Sequence, residues 1–261
     1  MECTKHFWEP VVQLDVSSAD GVLLNLNYQE SERMNIELVA YTPEPESVCN
    51  LGAKVCVSHD MPESGWDDFK SLDHALASGH ESVLEHAVFT FAIEGISRAC
   101  SHQLVRHRMA SYSQQSQRYV NMDTFDWVIP KSIKDEDVEV DLGFKFVPAS
   151  EIYEELMIDI NNAYHRLIEA GVPEEDARYI LPNACCTNII VTMNARELRH
   201  FFSLRCCERA QWEIKQVAEM MLALVKEVAP SLFENAGAQC KKLGYCPEKR
   251  GCGRYPKKVR E

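Results

Sequence analysis

The chain has 261 residues, of which 46% are hydrophobic and 26% are charged, a balance typical of a soluble globular protein. No apolar run approaches the ~20 residues that cross a bilayer, and the first residues lack the layout of a secretory signal, so we expect a cytoplasmic protein with no membrane partner. The net charge of −13 disfavours a nucleic-acid partner, because nucleic-acid binders usually present a basic face. A small anionic ligand, held by a few local cationic groups, fits this charge better.

The hydrophobic pattern predicts a helix-rich fold. Residues 1–33 show no clear period and are interpreted as an N-terminal extension whose order the pattern leaves open. Short extended runs predict strands at residues 34–39 and 88–93. Helical periodicity and capping residues predict helices at residues 48–56, 66–78, 97–108, 150–170 and 214–228, and one more that begins at Asn194. Many helices, few strands and no βαβ alternation favour an α+β fold, with the helices around a central, mostly antiparallel sheet.

The cysteines are interpreted mostly as small buried hydrophobic residues in a reducing compartment. There are eleven of them, and Cys240, Cys246 and Cys252 follow one another with five residues between each pair. They lie in residues 236–261, a basic tail rich in cysteine and glycine that follows the main domain, residues 34–235. Zinc sites usually have shorter spacers and four ligands, so the tail is only a weak metal signal and no metal site is predicted.

Residues 103–119 are chemically unusual, with three arginines, one histidine, three serines and four glutamines. Arginine offers a planar fork of donors that grips phosphate, and hydroxyls and amides can complete such a site. On a helix, Gln103, Arg106 and His107 would share one face, whereas Arg108 would point elsewhere, so the segment predicts a two-sided anion site. A solvated polar loop and an RNA-binding loop with Tyr112 as a stacking platform are the alternatives, and the acidic chain disfavours the second.

Four motifs in order resemble one known family. The sequence Arg106-His107-Arg108, seven residues and then Ser116 is the signature of flavin-dependent thymidylate synthases. Upstream, residues 79–86 and the following strand are similar to the same family. Downstream, residues 177–182, 194–196, 204–205 and 210–214 also look family-like, so the resemblance covers about residues 34–230.

The resemblance implies an activity and a set of ligands. The family methylates dUMP reductively to dTMP, with methylenetetrahydrofolate as the carbon donor and FAD, reduced by NADPH, as the hydride carrier. It forms homotetramers whose active sites draw on more than one subunit. The implied flavin contacts are His80, Ser82, Arg106, His107, Arg108, Gln114, Asn194, Arg196 and His200. The implied nucleotide contacts are Gln103, Arg106, Gln114, Gln115, Ser116, Gln117, Arg118, Arg178 and Arg205.

Arg205 is the predicted catalytic residue. An arginine in this family stabilises negative charge on the pyrimidine, and the proline-cysteine-histidine-glutamine motif of the cysteine-dependent synthases is absent. Asn194 and Glu197 have the spacing of a capping box, and Arg205 lies at the end of the apolar stripe of the helix that follows. On that helix Arg196 and His200 point away from Arg205. We therefore expect Arg196 and His200 to serve the flavin and Arg205 to serve the nucleotide.

Two further expectations complete the interpretation. Ser116 has no base or orienting carboxylate beside it in the sequence, so it is interpreted as a binding hydroxyl and not as a nucleophile. No GxGxxG motif follows a strand, so NADPH is expected to use the flavin or folate cavity. Arg98 and Arg199 are expected to be solvated. The leading alternative to the enzyme is a flavin- or nucleotide-binding protein that has lost catalysis.

Overall fold

The computed structural model describes residues 34–65, 68–135 and 138–258. The predicted N-terminal extension, residues 1–33, lies outside the described residues. The structure has a four-stranded sheet in the order β1-β2-β6-β3, in which every neighbouring pair is antiparallel. Its strands are β1 (Asn35–Tyr41), β2 (Val88–Ser97), β3 (Ala110–Gln114) and β6 (Cys186–Asn194). The sheet and the many helices confirm the predicted α+β class.

The helices surround this sheet and a smaller two-stranded one. The larger helices are α1 (Pro45–Val55), α2 (Lys70–Ala77), α3 (Arg98–Leu104), α5 (Ala149–Glu169), α7 (Ala195–Arg205) and α8 (Trp212–Val228). Short helices are α4 (Lys131–Lys134), α6 (Glu174–Ala177), α9 (Pro230–Phe233) and α10 (Gln239–Leu243), with 3-10 turns at Glu81–His86 and Arg178–Ile180. The small sheet pairs β4 (Glu139–Asp141) with β5 (Phe146–Pro148) just before α5. No helix in the described part of the chain is long and apolar enough to cross a membrane.

The main core lies between one face of the sheet and α7, α8 and α9. Alternate residues of β2 are fully buried, and Phe89 packs edge-on against Phe233 of α9 at 5.4 Å between ring centroids. The α8 helix is tied to the end of β2 by a buried carboxylate, since Glu213 accepts hydrogen bonds of 2.6 Å from both the backbone N–H and the hydroxyl of Ser97. A second, smaller core gathers around Tyr164 of α5 and Trp127. The first core positions α7, which carries the candidate catalytic arginine.

Several predicted boundaries differ from the structure. The helix predicted at residues 97–108 is capped by Ser97, whose Oγ accepts a 3.0 Å hydrogen bond from the Cys100 N–H, but it already ends at Leu104. The long helix α5 begins after Pro148, so Ser150 is not its cap. The second predicted helix begins at Lys70, and residues 66–67 lie outside the described residues. Strands β3, β4, β5 and β6 were not predicted from the sequence. The first three are only three to five residues long and carry little alternating pattern. In β6 the residues Thr187, Ile189, Val191 and Met193 are buried in alternation, so its β-branched run was a usable signal.

Candidate active site

Three side chains form a hydrogen-bonded chain between α7 and the turn that follows α3. The ring of His107 is buried, and its Nδ1 lies 3.2 Å from Oε1 of Glu197. The Nε of Arg205 donates to Nε2 of the same ring at 3.2 Å, and an Nη of Arg205 reaches the Gln103 carbonyl at 3.5 Å. Because a guanidinium only donates, Nε2 must be unprotonated and Nδ1 must carry the proton that Glu197 accepts. The chain therefore assigns His107 as a neutral ring that holds Arg205.

The electrostatics agree with a neutral His107. Burial is the largest cause that holds the pKa of His107 below its ordinary value, and the hydrogen bond to Glu197 opposes it. The positive charge of Arg205 lowers the pKa further. The ring also packs edge-on against Phe201 at 4.9 Å between centroids, which fixes its plane. A protonated ring would lose the Arg205 hydrogen bond, so the contact requires the neutral form.

The start of α7 explains why Glu197 faces His107. The side chain of Asn194 accepts a 2.9 Å hydrogen bond from the Glu197 N–H, which is the predicted cap. The reciprocal half of a capping box is not made, because the Glu197 carboxylate turns to His107 instead. Leu198, Phe201 and Phe202 of the next turns are fully buried, and Arg205 follows them in a partly buried position. The sequence pattern predicted this stripe, but not the contact across ninety residues of chain.

The signature arginines lie on the turn between α3 and β3, not on a helix. The shared helical face predicted for Gln103, Arg106 and His107 is therefore wrong, since α3 ends at Leu104. The Tyr112 hydroxyl lies 2.8 Å from the carbonyl oxygens of both Leu104 and His107, and this contact fixes the path of the turn. As a result His107 points inward, whereas Arg106 and its neighbour at position 108 are exposed.

Several of the predicted flavin contacts have unused polar atoms. In the described part of the chain, five of these side chains make no hydrogen bond or ion pair; they are His80, Ser82, Arg106, Arg108 and His200. The 3-10 turn that carries Ser82 packs against α7, the helix of Arg196 and His200. A cavity of about 490 Å³ beside this helix is lined by Asn194, Arg196 and His200, and also by Glu81 and Glu85.

The arginines beside this cavity differ in their contacts. An Nη of Arg196 forms an exposed ion pair with Glu85 at 2.5 Å. Arg199 is largely buried and donates to the Leu232 carbonyl at 2.5 Å, so the expectation that it is solvated is wrong. Burial also lowers the pKa of Arg199. Arg196 is thus the more accessible of the two for a ligand.

The other predicted nucleotide contacts lie at the far end of β3. Arg118 forms an ion pair with Glu175 at 2.7 Å, and Arg178 donates to the Glu175 carbonyl at 3.1 Å. The Ser116 hydroxyl accepts a 3.2 Å hydrogen bond from the Arg118 N–H. Gln117 lies 3.5 Å from the sulfur of Cys185. These residues form a second polar group after β3, in which Glu175 of α6 contacts both Arg118 and Arg178.

The end of β3 itself is held from α3. The Gln114 amide donates to the Ser101 hydroxyl at 2.9 Å and approaches the Thr187 hydroxyl at 3.3 Å. The Gln115 backbone N–H pairs with the Asn188 carbonyl at 2.9 Å. Arg98 lies 3.4 Å from the Gln115 carbonyl, and burial lowers its pKa. Arg98 is therefore part of the support of this turn, and the expectation that it is solvated is wrong.

The two groups are separated along the strand. The five residues of β3 span about 14 Å at roughly 3.4 Å per residue. The first group consists of His107, Glu197 and Arg205. Its member His107 comes before the strand, whereas Ser116 and Arg118 of the second group come after it. The cavity beside α7 is lined by Asn194 and His200 but by none of the residues of the second group. The two groups therefore lie at opposite ends of the strand.

One cluster near Arg205 has metal-ligand character. Ligand atoms of His107, Glu197 and His200 all lie within 4.8 Å of one another. Both ring nitrogens of His107, however, already have protein partners in Glu197 and Arg205. His107 and Glu197 are therefore better explained as members of a hydrogen-bonded network than as metal ligands.

Sequence reasoning missed the acidic partners of the site. Glu197 was assigned only a capping role, while Glu85 and Glu175 were not singled out although they pair with Arg196 and Arg118. Carboxylates are common on helix surfaces, and no local signal marks the ones that meet an arginine far along the chain. The predicted arginines themselves indicated that such partners exist, because an arginine close to the surface of an acidic chain usually has an acidic neighbour.

The fold and the side chains described above define an α+β protein with an arginine-rich candidate site. The chain matches the family model described as thymidylate synthase complementing protein over residues 37–231. It is 52% identical to the flavin-dependent thymidylate synthase of Geobacter sulfurreducens over 82% of this chain and 91% of that protein. The proteins of the same name from Nitratidesulfovibrio vulgaris and Clostridium tetani are 45% and 44% identical over 85% of this chain, and 95% and 94% of their own lengths are covered. The chain therefore belongs to the flavin-dependent thymidylate synthase family, a family of methyltransferase enzymes.

Proposed function

We propose that the protein methylates dUMP reductively to dTMP, with methylenetetrahydrofolate as the carbon donor and FAD, reduced by NADPH, as the hydride carrier. The observation that carries this proposal is the chain of hydrogen bonds from Glu197 through His107 to Arg205. It holds one guanidinium in a partly buried position with N–H groups left over for a ligand. A fixed donor of this kind stabilises negative charge as it develops on a pyrimidine, at no cost of reorganisation.

The residues beside α7 fit a flavin dinucleotide. Pyrophosphate needs arginine and backbone donors, and the unpaired Arg106 and Arg108 supply charge for it. His80, Ser82 and His200 offer further polar atoms beside the same helix, and Asn194 keeps its amide N–H groups free while its oxygen caps α7. FAD, when bound, supplies the hydride for the reaction. His107 fits a supporting role better than a direct contact, because its ring nitrogens both have protein partners.

The second group fits the nucleotide. We propose that Ser116, Arg118 and Arg178 bind the phosphate of dUMP, together with the amides of residues 114, 115 and 117, and that Arg205 with Gln103 faces the base. Because the two groups lie at opposite ends of β3, we propose that a complete site combines one group of one subunit with the other group of a neighbour. A homotetramer with shared active sites meets this requirement.

The cysteine beside the Ser116 turn does not suit nucleophilic attack. Cys185 lies 3.5 Å from the Gln117 amide and is fully buried, and burial raises its pKa to about 11. A thiol with such a pKa is almost wholly protonated near neutral pH, and the thiolate is the nucleophilic form. We therefore propose activation of the pyrimidine by Arg205 without a covalent enzyme intermediate.

The sheet also bears on NADPH. Every strand pair of the described residues is antiparallel, whereas a nicotinamide site of the Rossmann type needs parallel strands joined by helices. We propose that NADPH uses the flavin or folate cavity. We also propose a cytoplasmic location, where the eleven cysteines of the chain would stay reduced.

The test follows flavin reduction and product formation separately. The purified protein, loaded with FAD, is expected to lose its yellow flavin absorption when NADPH is added without oxygen, and then to form dTMP from dUMP and methylenetetrahydrofolate. Protein that takes up no FAD would refute the proposal. Flavin reduction without any dTMP would favour the alternative of a binding protein that has lost catalysis. An Arg166→Ala variant, changed at an exposed position of α5, serves as the matched control.

A further inference from the structure

Four cysteines from distant parts of the chain line one cavity. The cavity has a volume of about 560 Å³ and lies between the end of α7, α10 and the C-terminal residues. Cys207 follows α7, Cys240 belongs to α10, and Cys246 and Cys252 belong to the segment after it. The tail cysteines alone gave a weak signal, and the structure adds the fourth thiol that the spacing lacked. Cys207 lies 33 residues before Cys240 in the sequence, so no local pattern reveals it.

Packing separates four of these thiols from a fifth. Cys206 lines the same cavity, but it packs against the main hydrophobic core. Cys207, Cys240, Cys246 and Cys252 belong to neither core. The candidate ligand group is therefore four thiols and not five.

The segment that carries two of these thiols has little else to order it. Residues 244–258 form turns and a single bridge between Cys246 and Lys257, and belong to neither hydrophobic core. Their contacts are polar: the Cys246 N–H donates to the Pro256 carbonyl at 2.7 Å, and Arg209 donates to the Arg250 carbonyl at 2.8 Å. Small loop-rich units without an apolar core usually need a metal or disulfides to hold them.

The backbone comes close to the sulfur atoms. A Cβ on Gly251 would lie 3.0 Å from the sulfur of Cys246, tighter than nearly all real contacts of a Cβ. Gly253, directly after Cys252, has a φ of 91°, which other residues rarely adopt. A side chain at position 251 would therefore press on the Cys246 sulfur, and one at position 253 would strain the backbone. Basic residues border the same segment, and Arg254 pairs with Glu208 at 2.7 Å next to Cys207.

We propose that Cys207, Cys240, Cys246 and Cys252 bind one zinc ion and thereby fasten the C-terminal segment to the end of α7. Four thiolates are the ligand set of closed, structural zinc sites, and zinc replaces the four thiol protons, which pass to solvent. The site carries two negative charges, which the lysines and arginines of the segment offset. Zinc–sulfur bonds of about 2.3 Å bring the sulfurs within about 3.8 Å of one another. No three of these sulfurs lie within 4.8 Å of one another in the described residues, so zinc binding must draw the segment inward.

This site is independent of the proposed reaction, since it is structural and needs neither flavin nor nucleotide. The site nevertheless lies next to the predicted catalytic residue, because Arg205 comes two residues before Cys207 and lines the same cavity. The family model ends at residue 231, so three of the four ligands lie beyond it.

The test is the metal content of the full-length protein, purified from cells grown with zinc and measured by mass spectrometry of the metals. We expect one zinc per chain, and loss of zinc to the level of a blank in Cys207→Ser, Cys240→Ser, Cys246→Ser and Cys252→Ser. Cys206→Ser, in the same cavity, and Cys56→Ser, exposed after α1, are the matched controls and should keep the metal.

A second measurement keeps the proposal open to refutation if a variant folds poorly. In the wild-type protein, a thiol-modifying mercurial should release zinc in proportion to the thiols that react, and a zinc-binding dye reports the release. A zinc-free wild-type protein, iron in place of zinc, or retention of zinc in the four variants would each overturn the assignment. Fewer than eleven free thiols in the denatured, unreduced chain would show disulfides and overturn it as well.

Discussion

The two ends of β3 hold arginines in opposite circumstances. Before the strand, Arg205 is partly buried and rests on the neutral ring of His107, which Glu197 orients in turn. After the strand, Arg118 is about half exposed and pairs with Glu175 on the surface. Both are donors for an anion, but they differ in how firmly the protein holds them.

This difference predicts different kinetic roles. A guanidinium that is already fixed loses little freedom when charge develops in the transition state, so its removal lowers kcat. An exposed guanidinium in an ion pair exchanges one anionic partner for another and contributes mainly to ground-state binding, so its removal raises KM. We therefore expect an activating end of the strand at Arg205 and a binding end at Arg118, and variants at each end test this division.

The largest effect is expected at Arg205. Arg205→Ala should lower kcat for dTMP formation by about 10²–10³-fold, the size measured when one fixed donor is removed from an active site. Flavin should remain bound, because Arg196 and His200, which are assigned to it, line a cavity that Arg205 does not line. Arg205→Lys should stay well below the wild type, since a lysine lacks the planar fork that reaches both His107 and a ligand. Steady-state kinetics and flavin absorption measure the two properties, with Arg166→Ala as the control. Turnover within a few-fold of the wild type would remove Arg205 from the mechanism.

A smaller effect is expected at Arg118, at the binding end of β3. Arg118→Ala should raise KM for dUMP about tenfold while kcat stays within about twofold, because one charge-assisted contact to phosphate is lost. Its partner offers a matched variant: Glu175→Gln removes the competing carboxylate, so KM should fall or stay unchanged. Neither change should alter the free energy of unfolding by more than about 1 kcal/mol, since the ion pair is exposed. A fall in kcat with unchanged KM in Arg118→Ala would contradict the division between the two ends.

The sequence predicted the chemistry of both ends better than their geometry. Periodicity was enough to bring Arg205 to the end of a buried stripe, because helix geometry is local and depends on residues three and four apart. It was wrong about Arg106 and His107, since the end of α3 is set by Tyr112, whose hydroxyl reaches two carbonyl oxygens across the turn. Contacts such as Glu197 with His107 join residues 90 positions apart, and only the folded sheet brings them together.

The smallest effect, and the most specific, concerns the support of Arg205. Burial holds the pKa of His107 below its ordinary value of 6.5, so the folded protein favours the neutral ring. The stability that the ring contributes is therefore fully present above pH 6.5 and is lost as the pH falls through the lowered pKa. Activity should fall over the same acidic range, because a protonated Nε2 can no longer accept the hydrogen bond from Arg205.

Glu197 raises the pKa of His107 through its hydrogen bond and its charge, so Glu197→Gln should move the acidic limb of the kcat profile to lower pH. A glutamine oxygen can still accept the proton of Nδ1, and kcat at neutral pH should therefore fall only about two- to fivefold, equivalent to less than 1 kcal/mol. Glu155→Gln, at an exposed position of α5, should leave the profile unchanged. The pH dependence of kcat in the two variants measures the difference. An acidic limb that does not move in Glu197→Gln would mean that His107 does not control Arg205. A shift of the limb without a large loss of activity is the result that a positioning role for Glu197 requires. A purely structural role for Glu197 would not produce that shift.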